Sequence, residues 1–206
     1  MRVIDPAEHP FNDIYKLMIG VIVPRPIAFV STVDADGVRN LAPFSYFTGC
    51  STNPPVVCFC AAVRQGPRHQ KDTLLNIEAT GEFVVNIVSE ELAVQMNMTS
   101  AEAPPEVDEF TLSGLTPLAS ELVRPPRVAE SKVHMECRLR QIVRVSDQPG
   151  GGNLVLGDVL RFHVLEDVLL DGLKIDPDRL SAIGRMGGPV YVRTHDRFQM
   201  QRPKWT

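Results

Sequence analysis

The chain has 206 residues, of which 44% are hydrophobic and 22% are charged, and these fractions are typical of a globular protein rather than of a disordered, collagen-like or coiled-coil chain. The 21 Lys and Arg residues against 25 Asp and Glu residues give a net charge of -4, so nucleic acid is not expected as a partner. This length predicts one domain over residues 1–206.

The predicted cellular compartment is the cytoplasm, with no membrane partner. The uncharged stretch from Asn40 to Val63 is long enough to span a bilayer, but Ser51-Thr52-Asn53-Pro54-Pro55 interrupts it. The segment Met1–His9 does not lead into the apolar core of a signal peptide. Four cysteines are too few for a disulfide scaffold, and Cys58-Phe59-Cys60 lacks the spacing of a zinc site, so free thiols and no metal are expected.

The first third of the chain predicts three short strands. Ile27–Val33 is rich in β-forming residues, Asp34–Gly37 is a hairpin signal, and Val38–Phe44 returns. After Asn53-Pro54-Pro55, the segment Val56–Val63 is apolar on both faces and predicts a buried third strand. We therefore expect an antiparallel meander.

Helical signals follow. Lys71–Gly81 has a capping residue, apolar residues three and four apart and a terminal glycine, and it predicts a short helix. Glu82–Val88 predicts a strand, and Ser89 is the expected cap of a second helix. Ala101–Pro126, with five prolines, is expected to be irregular and to lie on the surface.

The last third predicts a long hairpin and a short helix. From Val133 onward apolar and polar residues alternate, and the pattern shifts after Arg140, which indicates a bulge. Gly150–Asn153 is interpreted as the turn rather than as a nucleotide-binding loop, because strands flank it on both sides. Asp176 is expected to begin a helix that Gly184 ends. About seven strands and three short helices predict a mainly β fold, a closed or split barrel with helical insertions.

Motifs of side-chain catalysis are missing from the sequence. It contains no G-x-S-x-G, no H-E-x-x-H, no G-x-G-x-x-G after a strand and no Walker loop. His134 and His163 lie in strand patterns, where a structural imidazole is the more common outcome. We therefore predict no catalytic side chain and a borrowed cofactor instead.

A local basic run indicates an anion site. Arg64, Arg68, His69 and Lys71 lie within eight residues that contain no acid, and they lead into the predicted helix start, whose free N–H groups favour an anion. A phosphate would fit there. The residues alone leave open a second interpretation, in which these are solvated loop charges and Asp72 only caps the helix.

A second segment has the composition of a site for a flat ring. Asn40–Gly49 mixes small, proline and aromatic residues with amide and hydroxyl groups at the end of a strand. A heteroaromatic ligand needs apolar faces with donors and acceptors around its rim. An ordinary barrel corner with its aromatic residues in the core has the same composition.

Several motifs, taken together and in order, resemble the flavin reductase-like family, which includes flavoredoxin-type proteins. The resemblance covers residues 20–165 and extends to Ile183–Gly188 and Tyr191 in the tail. Its motifs are Arg25-Pro26-Ile27-Ala28-Phe29-Val30-Ser31-Thr32-Val33, Asp36-Gly37, Asn40-Leu41-Ala42-Pro43-Phe44-Ser45, Asn53-Pro54-Pro55, Lys71-Asp72-Thr73 and Asn76-Ile77.

The resemblance implies an FMN-binding split β-barrel that forms a homodimer, with each flavin near the subunit interface. Lys71, Asp72 and Thr73 match the family motif at the phosphate end, and Arg68 joins them from the basic run. Arg185 and Tyr191 are expected to contact flavin or substrate. The residues implied beside the ring are Ser31, Thr32, Asn40, Leu41, Ala42, Pro43, Ser45 and Phe47.

The implied activity is an oxidoreductase in which NADH or NADPH reduces the flavin, and the reduced flavin passes electrons to free flavin, a partner monooxygenase, a metal complex or oxygen. One alternative is a flavoredoxin-like FMN carrier without NAD(P)H reductase activity. Another is a small-molecule or interaction module without a flavin. The sequence does not choose between NADH and NADPH, and it does not identify the acceptor.

Overall fold

A computed structural model describes residues 1–205, and its main feature is an antiparallel sheet of seven strands in the order β2-β1-β5-β8-β9-β4-β3. These strands are β1 (Ala28–Val33), β2 (Arg39–Phe44), β3 (Phe47–Thr52), β4 (Pro55–Ala62), β5 (Glu82–Ile87), β8 (Val133–Arg144) and β9 (Gly152–Val164). Three two-stranded ribbons are formed by β6 (Pro117–Leu118) with β7 (Arg127–Val128), β10 (Leu169–Leu170) with β11 (Lys174–Ile175), and β12 (Ile183–Arg185) with β13 (Tyr191–Arg193). The α-helices are α1 (Phe11–Val21), α2 (Asp72–Thr80), α3 (Ala93–Met98), α4 (Glu109–Ser113) and α5 (Pro177–Leu180). The mainly β class is confirmed, although the structure has five α-helices rather than the three expected.

The predicted meander is wrong, because the first two hairpins lie at opposite ends of the strand order. β1 pairs with β2 through the predicted turn, where Gly37 has φ +90°. The chain then forms β3, which the sequence did not predict, and β3 pairs with β4. The predicted third strand is therefore the fourth, and its neighbours are β3 and β9. β3 gave no apolar signal because it is exposed along nearly its whole length.

The sheet encloses an aromatic core under α2. The Phe44 and Phe59 rings lie 4.8 Å apart, and Phe83 packs edge-on at 5.7 Å from Phe59. Leu74 and Ile77 of α2 are fully buried in the same cluster. α2 ends at Gly81, which has φ +71°, as its sequence predicted. Burial of this apolar face fixes where the first turn of α2 lies.

The long β8–β9 hairpin and its turn are confirmed, with register shifts between Glu136 and Cys137 and between Leu139 and Gln141. The second shift places Arg140 in the predicted bulge. Glu136 is fully buried, and it accepts hydrogen bonds from the Glu121 and Leu122 N–H groups and bonds His163 Nε2 at 2.6 Å. His134 Nε2 bonds the Val128 carbonyl at 2.8 Å. Both histidines are therefore structural, as expected.

Two local predictions fail because packing overrides the local signal. The segment 101–126 contains α4 and β6, and Phe110 and Leu115 are buried against Leu41 rather than lying on the surface. The helix that Asp176 caps ends at Leu180, with Ser181 in the left-handed conformation, so that Gly184 lies in β12.

The second helix starts near Ser89 as predicted, but it begins with a 3₁₀ turn, Glu90–Leu92, before α3. The Ser89 hydroxyl donates to the Glu91 carboxylate at 2.9 Å and makes no capping bond to the backbone. None of the helices described in residues 1–205 is long and apolar enough to cross a membrane.

The four cysteines are free thiols. Burial raises the pKa of Cys58 to about 11, and burial also raises the pKa of Cys60, so both thiols stay protonated at neutral pH. Across residues 1–205, no group of three or more His, Cys, Asp or Glu side chains is placed to hold a metal ion.

Candidate functional site

A cavity of about 400 Å³ lies between the start of α2, the end of β2 and the β12–β13 ribbon. The structure brings nine of the predicted site residues to its wall. They are Asn40, Ala42, Pro43, Ser45, Lys71, Asp72, Thr73, Arg185 and Tyr191. The two segments that the sequence singled out separately, the basic run and the Asn40–Gly49 segment, therefore meet at one cavity.

Five predicted site residues do not line this cavity: Ser31, Thr32, Leu41, Phe47 and Arg68. Ser31 is buried and donates to the Pro126 carbonyl. Leu41 is fully buried in the second apolar cluster, and Phe47 packs against the first. Leu41 lies behind the wall because it alternates along β2 with Asn40 and Ala42, which line the cavity.

A buried hydrogen-bond network joins the two halves of the cavity. The Asn40 side-chain amide donates to the Thr73 hydroxyl at 2.8 Å and to the Thr32 hydroxyl oxygen at 3.2 Å. Asn76 of α2 also donates to Thr32, at 3.1 Å. Because β1, β2 and α2 all contribute, the network fixes the first turn of α2 against the end of the sheet.

The first turn of α2 carries excess positive charge. Lys71 occupies the position before the helix, and no side chain caps the turn. Burial lowers the pKa of Lys71, and the nearby Arg64 charge lowers it further. The Arg64 guanidinium donates to the Gln70 carbonyl at 3.4 Å and lies 3.6 Å from Asp72 and 3.5 Å from Glu102, and its buried Nε has no hydrogen-bond partner in the described chain. Such a cluster has unused capacity for an anion.

Arg68 does not line the cavity and instead pairs with Asp72, which does. Arg68 donates to both Asp72 carboxylate oxygens at 2.9 and 2.8 Å and to the Ala103 carbonyl at 2.9 Å. The interpretation of Asp72 as the helix cap is therefore wrong, since its carboxylate is engaged by Arg68. Arg64, rather than Arg68, lines the cavity beside Lys71.

Arg25 is a site residue that spacing could not identify. It is 4% exposed, lines the cavity, and donates to the Ile19 and Ile22 carbonyls at 2.7 Å each and to the Met186 carbonyl at 2.9 Å. Its Nε also donates to the Ser45 hydroxyl at 3.3 Å. One guanidinium thus holds the end of α1, the loop of the β12–β13 ribbon and the end of β2 together. Its only sequence signal is the Arg25-Pro26 start of the family motif.

The β12–β13 ribbon forms the opposite wall. The Arg185 guanidinium lies 4.4 Å from the centre of the Tyr191 ring and donates to the Tyr191 hydroxyl. Tyr191 in turn donates to Asn97 Oδ1 at 3.5 Å, which connects the ribbon to α3. This wall presents an aromatic ring and a cation to the cavity.

Glu109, at the start of α4, is a second residue that the sequence did not reveal. It is 7% exposed, lines the cavity, and accepts a hydrogen bond from the Leu41 N–H at 3.0 Å. Burial raises the pKa of its carboxyl group, even though the Leu41 N–H lowers it. The segment that contains Glu109 was predicted to be an irregular surface loop, so Glu109 was not considered as a buried site residue.

Residues 20–181 match the family model described as the flavin reductase like domain. The chain belongs to the flavin reductase-like family. Nitrilotriacetate monooxygenase component B from Bacillus cereus is 37% identical and superposes with a TM-score of 0.92 over 97% of this chain and 98% of that one. The 2-nitrobenzoate 2-nitroreductase of Pseudomonas fluorescens is 28% identical, with a TM-score of 0.88 over 100% of this chain and 98% of that one.

The split-barrel fold is confirmed by the same comparison. A protein with a split barrel domain from Shewanella frigidimarina has a TM-score of 0.83 at 20% identity, over 98% of this chain and 100% of that one. As a flavin reductase-like protein, the chain has a flavin as its cofactor class and is a flavin oxidoreductase by class.

Proposed function

We propose that a single domain, residues 1–206, binds FMN in this cavity and passes electrons from NADH or NADPH to a further acceptor. The observation that carries the proposal is the pair of incompletely neutralised cations, Arg64 and Lys71, beside the uncapped first turn of α2. A terminal phosphate dianion supplies the charge that this turn lacks. Riboflavin has no phosphate and would leave the two cations incompletely neutralised.

The cavity suits the rest of FMN as well. Its volume of about 400 Å³ lies within the range of about 300–1,000 Å³ that is usual for ligand sites. Lys71, Arg64 and Thr73 would hold the phosphate, and the wall from Ala42 to Ser45 would lie beside the ring. These assignments agree with those that the family resemblance implies for Lys71 and Thr73.

A bound flavin supplies hydride and electron transfer, and the protein supplies binding and orientation. Asn40 fixes the two halves of the cavity through Thr73, and the Arg185–Tyr191 wall shields it from water. No side chain of the cavity needs to act as an acid or base, so we assign no catalytic residue. Arg185 and Tyr191 contact the flavin or the substrate from the ribbon.

A flavin-dependent monooxygenase partner is the acceptor that the comparisons favour. The protein at 37% identity is itself a monooxygenase component B, and its fold covers nearly all of this chain. Free flavin is the other acceptor we propose. The free thiols support a reducing compartment, and we place the protein in the cytoplasm as a homodimer.

The proposal is tested with purified protein and added FMN. We expect the visible absorption spectrum of a bound oxidised flavin, and oxidation of NADH or NADPH that depends on FMN. A flavin that dithionite reduces but neither nicotinamide reduces would replace the reductase with the flavoredoxin-like carrier. A colourless protein that does not bind FMN would overturn the proposal and favour a module without a flavin.

A further inference from the structure

Glu109 places a buried carboxylate with free acceptor capacity in the wall of the cavity. Its side chain is more than nine-tenths buried, and only one oxygen, Oε2, accepts a hydrogen bond from another residue, the Leu41 N–H at 3.0 Å. No other residue of the described chain, 1–205, donates to Oε1. A carboxylate has about four acceptor positions, and the N–H groups of Leu41 and of Glu109 itself leave some of them open to a ligand in the cavity.

Glu109 bonds to a residue of β2 that lies between the two ends of the proposed flavin site. Asn40 contacts Thr73 at the start of α2, whereas Ala42 and Ser45 line the wall assigned to the ring. Leu41, which Glu109 bonds, lies between them, about 3.3 Å from each neighbour along the strand. Glu109 therefore lies beside the strand residue that separates the two ends of the site, close enough to Asp72 at the start of α2 to feel its charge.

The charge of Glu109 determines what can bind there. The negative charges of Asp72 and Asp108 raise the pKa of Glu109, in addition to the larger effect of burial. A phosphate next to this carboxylate would be repelled, whereas a hydroxyl group would donate a charge-assisted hydrogen bond. The part of the cavity beside Glu109 thus disfavours the phosphate and favours a chain of hydroxyl groups.

We propose that Glu109 binds the polyol chain of the flavin, the ribityl segment between the phosphate and the ring, through its free carboxylate oxygen. This inference rests on the proposed function, because it assumes a flavin in the cavity. Glu109 would then be a flavin-binding residue that belongs to neither of the two segments predicted from the sequence, the basic run and Asn40–Ser45.

The test compares Glu109→Gln with the unchanged protein against three flavins: FMN, riboflavin, and lumiflavin, which has the ring but no polyol. The Gln side chain still accepts the Leu41 N–H bond but has no charge. We expect the dissociation constants of FMN and riboflavin to rise about tenfold and that of lumiflavin to stay unchanged. The readout is quenching of flavin fluorescence, with the melting temperature of each variant as the measure of folding.

The outcomes separate the inference from the proposed function. An equal rise for all three flavins would place Glu109 at the ring, and a lower melting temperature without any change in affinity would make it purely structural; each result overturns the inference. If Glu109→Gln does not fold, Glu109→Asp, which withdraws the carboxylate by one methylene, is expected to give the same pattern. Failure of the unchanged protein to bind any flavin would instead overturn the proposed function.

Discussion

Lys71 combines a charge with burial, and this combination makes it the most informative single residue of the site. Lys71→Ala is expected to raise the dissociation constant of FMN about tenfold to a hundredfold, because a charged hydrogen bond to the phosphate is lost. Riboflavin should bind the variant as it binds the original protein. Lys174→Ala removes the same charge from an exposed strand and should change neither affinity. Equal losses for FMN and riboflavin would remove Lys71 from the phosphate site.

The pH dependence of FMN binding follows from the same side chain. Burial and Arg64 lower the pKa of Lys71 in the free protein, and a bound phosphate dianion would raise it again. FMN binding should therefore take up a proton above the lowered pKa, so the affinity falls there by up to about tenfold per pH unit. Titrations over a pH series measure this, and riboflavin should lack the slope. A slope shared by both flavins would assign the proton to the ring instead.

The stability of the ligand-free protein should show the opposite trend. Because folded Lys71 binds its proton less tightly than in the unfolded chain, the free energy of unfolding rises as pH increases from the lowered pKa to the usual value. Lys71→Met should abolish this rise, which denaturant titrations at several pH values can measure. An unchanged rise in Lys71→Met would show that another group causes it.

The residues of the site differ in how far the sequence reveals them. Lys71 was predictable because a charge and a helix start are neighbours in the chain. The choice of Arg64 over Arg68 was not, since it depends on which guanidinium Asp72 engages. Glu109 was not predictable either, because its partner Leu41 is 68 residues away in the chain. Local spacing carries no information about such pairs.

Among the elements, α1 and the β12–β13 ribbon depend on Arg25. Its guanidinium satisfies carbonyl groups at the end of α1 and in the ribbon loop. Arg25→Met should lower the free energy of unfolding by about 3 kcal/mol, since these carbonyls lose their donor. Hydrogen exchange should rise in α1 and the ribbon before it rises in β5 and β8.

Arg140→Met is the matched control, because Arg140 is 45% exposed and pairs with Asp158 at the surface. It should change the free energy of unfolding by less than about 1 kcal/mol. Similar losses for both variants, or uniform exchange across the sheet, would show that Arg25 does not hold these elements selectively.

Elements with an apolar pattern were predictable, and those without one were not. β1, α2 and the β8–β9 hairpin follow their sequence signals because each buries a regular apolar face. β3 is a largely exposed edge strand, so its position depends on pairing with β4 and not on its own composition. The missing strand is also why the order of the sheet could not be derived.

At the scale of the whole molecule, the order of the motifs along the chain predicts the function class. The cavity, in contrast, is formed by packing between segments that are far apart in the sequence. The motif residues Asn40 and Lys71 are 31 positions apart, yet the Asn40–Thr73 bond brings their segments together. The β12–β13 wall comes from the C-terminal part of the chain and reaches the cavity through Arg25 and Asn97. Only the three-dimensional structure shows that these parts enclose one space.

The exposed face of α1 is the surface that supports the proposed homodimer. Only Ile19 of this helix is buried, and an apolar patch of this extent is typical of an interaction surface. Six apolar side chains at its surface are between 43% and 67% exposed: Phe11, Tyr15, Leu17, Met18, Val21 and Ile22. Tyr15 also lines the cavity, so pairing through α1 would bring the flavin site to the subunit interface.

Leu17→Glu together with Val21→Glu should therefore convert the dimer to a monomer, as measured by light scattering after size-exclusion chromatography. The FMN dissociation constant should rise about tenfold or more, because the site loses the wall completed by the partner. Leu170→Glu changes an apolar residue of similar exposure, 46%, in the β10–β11 ribbon and should leave both properties intact. If the protein without substitutions is monomeric and still binds FMN, a single chain completes the site. No second α1 would then cover Tyr15, and the proposed role of the dimer would be wrong.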